Sequence, residues 1–191
     1  MSHGGQPLRV LGISGSLQAR SSNAAVLRAA ARLAPTGMEL VLFDGLAVVP
    51  PLDVDLDGEH SATPTPVHAL RAAVGTAEGL LIVSPEYAHS VPGVLKNALD
   101  WLVASGELAA LPVALIGASS THTGAIRGQL ALIQTLLAQS AQIASTLTIP
   151  SIKGKLDDDG ELGDRAALRR VSETLVALDE AIRERRDWLA A

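Results

Sequence analysis

The chain has 191 residues, a formal net charge of −5 and 48% hydrophobic residues. That suits one domain with a core of its own and gives no electrostatic footing for nucleic-acid binding. The absence of cysteine excludes disulfides, thiolate metal sites and cysteine nucleophiles.

In chain order, residues 1–7 are polar and expected to be flexible. They lack the cationic and apolar regions of a signal peptide. Residues 8–13 form a short apolar run that ends in a Gly/Ser loop and reads as a buried strand. A helical pattern over 23–33 places Val26, Leu27, Ala30 and Leu33 on one face, and Pro35 and Gly37 end it. A second strand spans 39–43. Residues 44–65 hold three of the ten prolines and several acids and read as a long surface loop, followed by a short helix over 66–74 with Pro66 in its first turn.

Residues 79–83 are apolar throughout, as strands are when a parallel sheet is covered on both faces. A helix over 94–103, a strand over 112–116, a helix over 125–138 and a strand over 142–149 follow. Residues 153–163 read as a charged loop or hairpin, and 164–189 as a long amphipathic closing helix. Strictly alternating strands and helices imply a parallel sheet with right-handed crossovers. Five strands suit a flavodoxin-like α/β three-layer sandwich of order 2-1-3-4-5, a single domain over 1–191. In that fold the ligand site lies beyond the carboxyl ends of the first and third strands. No apolar run reaches the roughly 18 residues of a membrane span, so a soluble, cytoplasmic protein is expected.

The chemically informative residues fall after strands one, three and four, where this fold puts a site. The first loop holds Ser14, Ser16, Gln18, Arg20, Ser21, Ser22 and Asn23. Hydroxyls and free amides before a helix make an anion site. The Gly-Lys-Ser/Thr ending of a P-loop is absent, and the glycine spacing is not that of a dinucleotide fingerprint. The plain alternative is a serine-rich helix cap.

The second loop runs from Ser84 through Pro85, Glu86, Tyr87, Ala88 and His89 to Pro92 and Gly93. Two prolines stiffen it, and rigid backbone suits a flat heteroaromatic ring. Tyr87 has the alternative of an ordinary half-buried aromatic. Lys96 and Asp100, four apart, read as a solvated helix pair, and Trp101 as core or subunit interface. The third loop, with Ser119, Ser120, Thr121, His122 and Gly124, is either a ligand-closing segment or a solvated connection.

These residues carry a resemblance. Gly15, Ser16 and Leu17 with Ser21 and Asn23; Pro85-Glu86-Tyr87 followed by the run from Ser90 to Trp101; and Gly117-Ala118-Ser119-Ser120 with Gly124 and Arg127 together resemble the NADPH-dependent FMN reductase family, in its chromate and quinone reductase branch. The resemblance implies FMN as cofactor, NADPH or NADH as hydride donor, and quinones, chromate, azo compounds or free flavin as small acceptors. It implies a homodimer or homotetramer. It assigns the phosphate to Ser16, Gln18, Ser21, Ser22 and Asn23. The ring goes to Pro85, Glu86, Tyr87 and Ala88 with His89 nearby, and Ser119 and Ser120 approach it from the third loop. No catalytic side chain is implied, because hydride transfer is the flavin's chemistry.

Two positions depart from the family pattern. Gln18 stands where arginine is usual, which gives up a charge-assisted bidentate grip on phosphate; Arg20, two residues on, restores the charge if it turns inward, the alternative being a solvated arginine that points away. Ala88 stands where asparagine is usual, which bears on the ring's edge and the acceptor mouth. Three other readings compete. A flavodoxin-type electron carrier would lack nicotinamide activity. A serine hydrolase is suggested by Gly12-Ile13-Ser14-Gly15-Ser16, a near match to the nucleophile elbow. Metal binding by His89 and His122 has no ligand spacing to support it.

Overall fold

The computed structural model describes residues 6–18, 20–57 and 63–191. The flexible start expected over 1–7 falls mostly outside them. Five strands, β1 (Leu8–Ser14), β2 (Met38–Phe43), β3 (Gly79–Ser84), β4 (Pro112–Ala118) and β5 (Gln142–Ile149), form one sheet of order β2-β1-β3-β4-β5. Every neighbouring pair is parallel. The helices are α1 (Ser22–Arg32), α2 (Thr65–Gly75), α3 (Gly93–Asp100), α4 (Ile126–Leu137) and α5 (Arg165–Ala190).

Strand periodicity divides the core in two. Leu11, Ile13, Leu80, Ile82, Val113 and Leu115 face α2, α3 and α4. Leu8, Val10, Leu81, Val83, Ala114 and Ile116 face α1 and α5. Central β3 and β4 are buried at every residue, which is why their sequences show no alternation.

The 44–65 segment is more structured than its prolines suggest. Two short 3₁₀ turns, Gly45–Val48 and Val54–Leu56, lie within it, and Leu46 and Val49 are buried. Side chains from α3 and the residue after it hold it down. Asn97 Nδ2 donates to the Pro50 carbonyl at 2.8 Å, and the Leu52 amide donates to Asn97 Oδ1 at 2.8 Å. The Trp101 indole N–H donates to the same Pro50 carbonyl at 2.8 Å. Arg71 bridges the Trp101 carbonyl at 2.6 Å and Asp57 at 2.7 Å. Trp101 is 0% exposed, so of its two expected places it occupies the core. α3 is also shorter than expected, because the chain turns at Trp101 to bury it.

Residues 153–163 fold as a 3₁₀ turn (Ile152–Lys155) and a small hairpin closed by a Leu156–Leu162 bridge. Glu161 ties the hairpin to α1 through Arg28 and Arg32.

Replacing Trp101 with Ala is expected to lower unfolding free energy by about 3–5 kcal/mol. Trp101→Phe, which keeps most of the packing and loses one hydrogen bond, should cost nearer 1 kcal/mol. Urea denaturation checks both; equal losses would mean that the indole N–H, not the ring volume, anchors the loop.

Candidate functional site

The three loops meet. Ser16, Gln18, Ser21, Ser22 and Asn23 from the first, Pro85, Glu86 and Tyr87 from the second, and Ser119 and Ser120 from the third line one open crevice of about 170 Å³. Ala118 and, from the 3₁₀ turn after β5, Ile152 and Lys153 complete it. These last three lay outside the expected set. Lys153 sits in the 3₁₀ turn before a charged hairpin, in sequence that has no motif, and the pairing of β5 beside β4 brings it to this edge.

Close backbone approach joins the first two loops. The Gly15 amide donates to the Val83 carbonyl at 2.8 Å. A Cβ on Gly15 would lie 2.8 Å from Ser84 Oγ and 3.1 Å from a Leu95 methyl, so glycine is needed where β1 leaves the sheet beside β3. The chain then turns into α1. Ser21 is its N-cap, with Oγ accepting from the Asn23 amide at 3.1 Å. Helix-start N–H groups and the partial positive charge of the α1 dipole therefore face the crevice.

Asn23 is 5% exposed, and its Oδ1 has no hydrogen-bond partner among the described residues. A buried unmet acceptor is costly unless a ligand supplies a donor. Its carboxamide, the serine hydroxyls and Lys153 together suit a ligand that carries both hydroxyls and phosphate, as FMN does. Arg20 lies elsewhere: it lines a neighbouring groove of about 450 Å³ with Arg28, Lys153 and Asp157–Asp159. Among the described residues, Lys153 is therefore the cation in the crevice lining itself.

The second loop turns tightly. Tyr87 and Ser90 exchange backbone hydrogen bonds of 3.2 and 2.9 Å, and the two residues between them have positive φ, 49° at Ala88 and 61° at His89. That is the pattern of a type I′ turn, which favours asparagine or glycine. The alanine at 88 thus departs from a backbone preference, and neither Ala88 nor His89 is among the crevice-lining residues. Tyr87 lines the crevice but is 54% exposed, more open than the half-buried aromatic considered for it.

Among the described residues, Glu86 is the one carboxylate lining the crevice. Its Oε2 accepts the amides of Arg127 at 2.9 Å and Gly128 at 3.0 Å; Oε1 lies 3.0 Å from His89 Nδ1. That nitrogen is also 3.1 Å from Arg127 Nη1. Protonated, it donates to Glu86; unprotonated, it accepts from Arg127. His89, then the two α4 amides, holds the Glu86 carboxyl below its ordinary value. The stabilisation it gives is present at neutral pH and is lost as pH falls through the lowered value.

The competing residue sets disperse. Ser14 Oγ bonds the Ser16 backbone and has no histidine partner among the described residues. His122 Nδ1 is 3.5 Å from Ser151 Oγ, whereas His89 sits with Glu86 and Arg127.

The sequence profile of the NADPH-dependent FMN reductase family matches residues 8–153. The chain belongs to this family. An NAD(P)H-dependent FMN reductase of Pseudomonas aeruginosa is 35% identical over 183 residues, 94% of this chain and 97% of that one. A quinone reductase of Escherichia coli K12 is 35% identical over 182 residues, 93% and 96% of the two. Among solved structures, the FerB flavoenzyme, an NAD(P)H:acceptor oxidoreductase of Paracoccus denitrificans, superposes with a TM-score of 0.77 at 24% identity, covering 93% of this chain and 98% of that one. In this FMN reductase family member the cofactor is FMN, reduced by NAD(P)H.

Ala88→Asn is expected to raise stability by about 0.5–1 kcal/mol, because asparagine tolerates the left-handed backbone that alanine resists. Ala88→Val should lower it. Thermal melts of the flavin-free protein check this, and a destabilised asparagine variant would contradict the turn assignment.

Proposed function

We propose that this protein is an NAD(P)H-dependent FMN oxidoreductase that passes electrons to quinones or related small acceptors. The observation that carries this reading is the crevice itself. Phosphate-type donors at the start of α1 face a rigid Pro85–Tyr87 backbone across a distance set by two adjacent strands. The names of the relatives, FMN reductase and quinone reductase, point the same way.

In this reading the hydroxyls of Ser16, Ser21 and Ser22, the Gln18 and Asn23 amides and the first turn of α1 hold the phosphate. Lys153 supplies the charge that Gln18 lacks. The backbone of Pro85, Glu86 and Tyr87 supports one side of the ring system, and Ser119 and Ser120 close the other. Bound FMN supplies the chemistry, taking hydride from the nicotinamide and releasing electrons to the acceptor. The protein binds, orients and leaves one face accessible. A cytoplasmic location is part of this proposal, in keeping with a nicotinamide donor. A homodimer or homotetramer is proposed, supported by exposed Val103, Leu130 and Leu137 on and beside α3 and α4.

The decisive experiment is a visible spectrum of FMN-loaded protein under anaerobic conditions before and after NADPH. Bleaching supports the reductase. Bleaching by dithionite but not by NADPH or NADH favours an electron carrier, and failure to take up flavin sinks the reading. For the phosphate end, changing both Ser16 and Asn23 to Ala should weaken FMN by at least about tenfold, ~1.4 kcal/mol, with little loss for riboflavin. Lys153→Ala should weaken FMN several-fold and flatten its salt dependence, and Arg20→Ala should do neither. The reverse pattern for the two cations would return the charge to Arg20.

A further inference from the structure

Helix α4 begins without a cap of its own. Its N-cap residue, Ala125, has no side-chain acceptor and sits at φ 69°, directly after Gly124 at φ 62°. An α-helix leaves four N–H groups without intrahelical partners. The Ile126 amide finds the Thr123 carbonyl at 3.2 Å. The next two, on Arg127 and Gly128, are both taken by one oxygen of Glu86, a residue 41 positions earlier, on the loop after β3. A carboxylate at a helix start is favoured by both its hydrogen bonds and the helix dipole.

Contact of backbone with backbone reinforces this tie. A Cβ on Gly128 would lie 2.9 Å from the Ser90 carbonyl and 3.3 Å from Glu86 Cα and Cβ. The first turn of α4 thus rests directly on the 86–90 turn. One residue further, buried Gln129 donates to the Leu115 and Leu147 carbonyls at 3.2 and 2.9 Å, which fixes α4 to β4 and β5. Ser119 and Ser120 lie on the segment that enters α4, and Pro85 to Tyr87 on the segment that caps it. The two walls of the crevice's ring end are therefore joined by the Glu86 carboxylate together with the contact of Gly128 on the 86–90 turn.

We infer that Glu86 is a positioning residue: by capping α4 from the opposite loop, it sets the spacing of the slot that receives the flavin ring. The inference rests on the FMN reading above and adds to it a role for this side chain. The geometry asks for an acceptor oxygen at this point. A glutamine carbonyl supplies that oxygen; alanine does not.

Three variants test this. In flavin-free protein, Glu86→Ala should speed hydrogen exchange at the Arg127 and Gly128 amides, and Glu86→Gln should restore most of the protection. Glu86→Ala should weaken FMN and riboflavin alike, by about tenfold, because the loss is at the ring end, and should alter the visible circular dichroism of the bound flavin. Glu86→Gln should stay within about threefold of the unmodified protein for both ligands. Glu78→Ala removes the Arg186 pairing and the Arg9 amide contact at the far edge of the sheet. It should lower stability without changing either flavin readout. The inference is overturned if Glu86→Ala binds both flavins normally, if Glu86→Gln fails to rescue, or if Glu78→Ala weakens flavin as much. If the unmodified protein takes up no flavin, the reductase reading falls and this role falls with it; normal uptake that is insensitive to Glu86→Ala overturns this inference alone.

Discussion

The site follows from one topological constraint: the chain leaves β1 and β3, neighbours in the sheet, toward opposite faces. After β1 it passes to α1, in the layer shared with α5. After β3 it passes to α3, in the layer shared with α2 and α4. Two loops that part in opposite directions from adjacent parallel strands leave a crevice between them at the carboxyl edge. The Gly15–Val83 hydrogen bond and the contact of Gly15 with Ser84 set how close the two sides come. The helix-start amides, the serine hydroxyls and the rigid proline loop are arranged around that gap, and their chemistry is useful only because the gap is there.

Around it the chain spends side chains on holding loops still. Asn97, Trp101 and Arg71 fasten the proline-rich segment after β2, and Glu86 fastens the loop after β3 to α4. Glu161 does the same for the hairpin that follows the Lys153 turn. A flavin enzyme needs no catalytic side chain if the flavin is held in a fixed pose with one face open. That gives a physical reason why these polar contacts join protein to protein and hold the loops around the crevice in place.

The sheet was legible in the sequence because β3 and β4 are covered on both faces and so read as unbroken apolar runs. Strict alternation with helices implied parallel pairing, and five strands suited the flavodoxin-like order. The crevice-lining residues of the three loops were legible because each loop combines donors or rigidity with a position at the carboxyl edge. Lys153 was hidden because its place depends on β5 lying beside β4 rather than on any local pattern. Glu86 was legible as a crevice residue but not as the cap of α4, since the partner amides lie 41 and 42 residues away and bring no side-chain signal. Arg20 shows the converse: its nearness to Gln18 in sequence left both an inward and a solvated position open, and it lines the adjoining groove.

The most direct test is a crystal structure of the protein soaked with FMN. The account predicts the phosphate within hydrogen-bonding distance of Ser16, Asn23 and the first amides of α1, with the Lys153 ammonium beside it and the ring system between the Pro85–Tyr87 backbone and Ser119–Ser120. A phosphate bound instead in the groove of Arg20 and Arg28, or a ring lying outside the gap between the β1 and β3 loops, would contradict it.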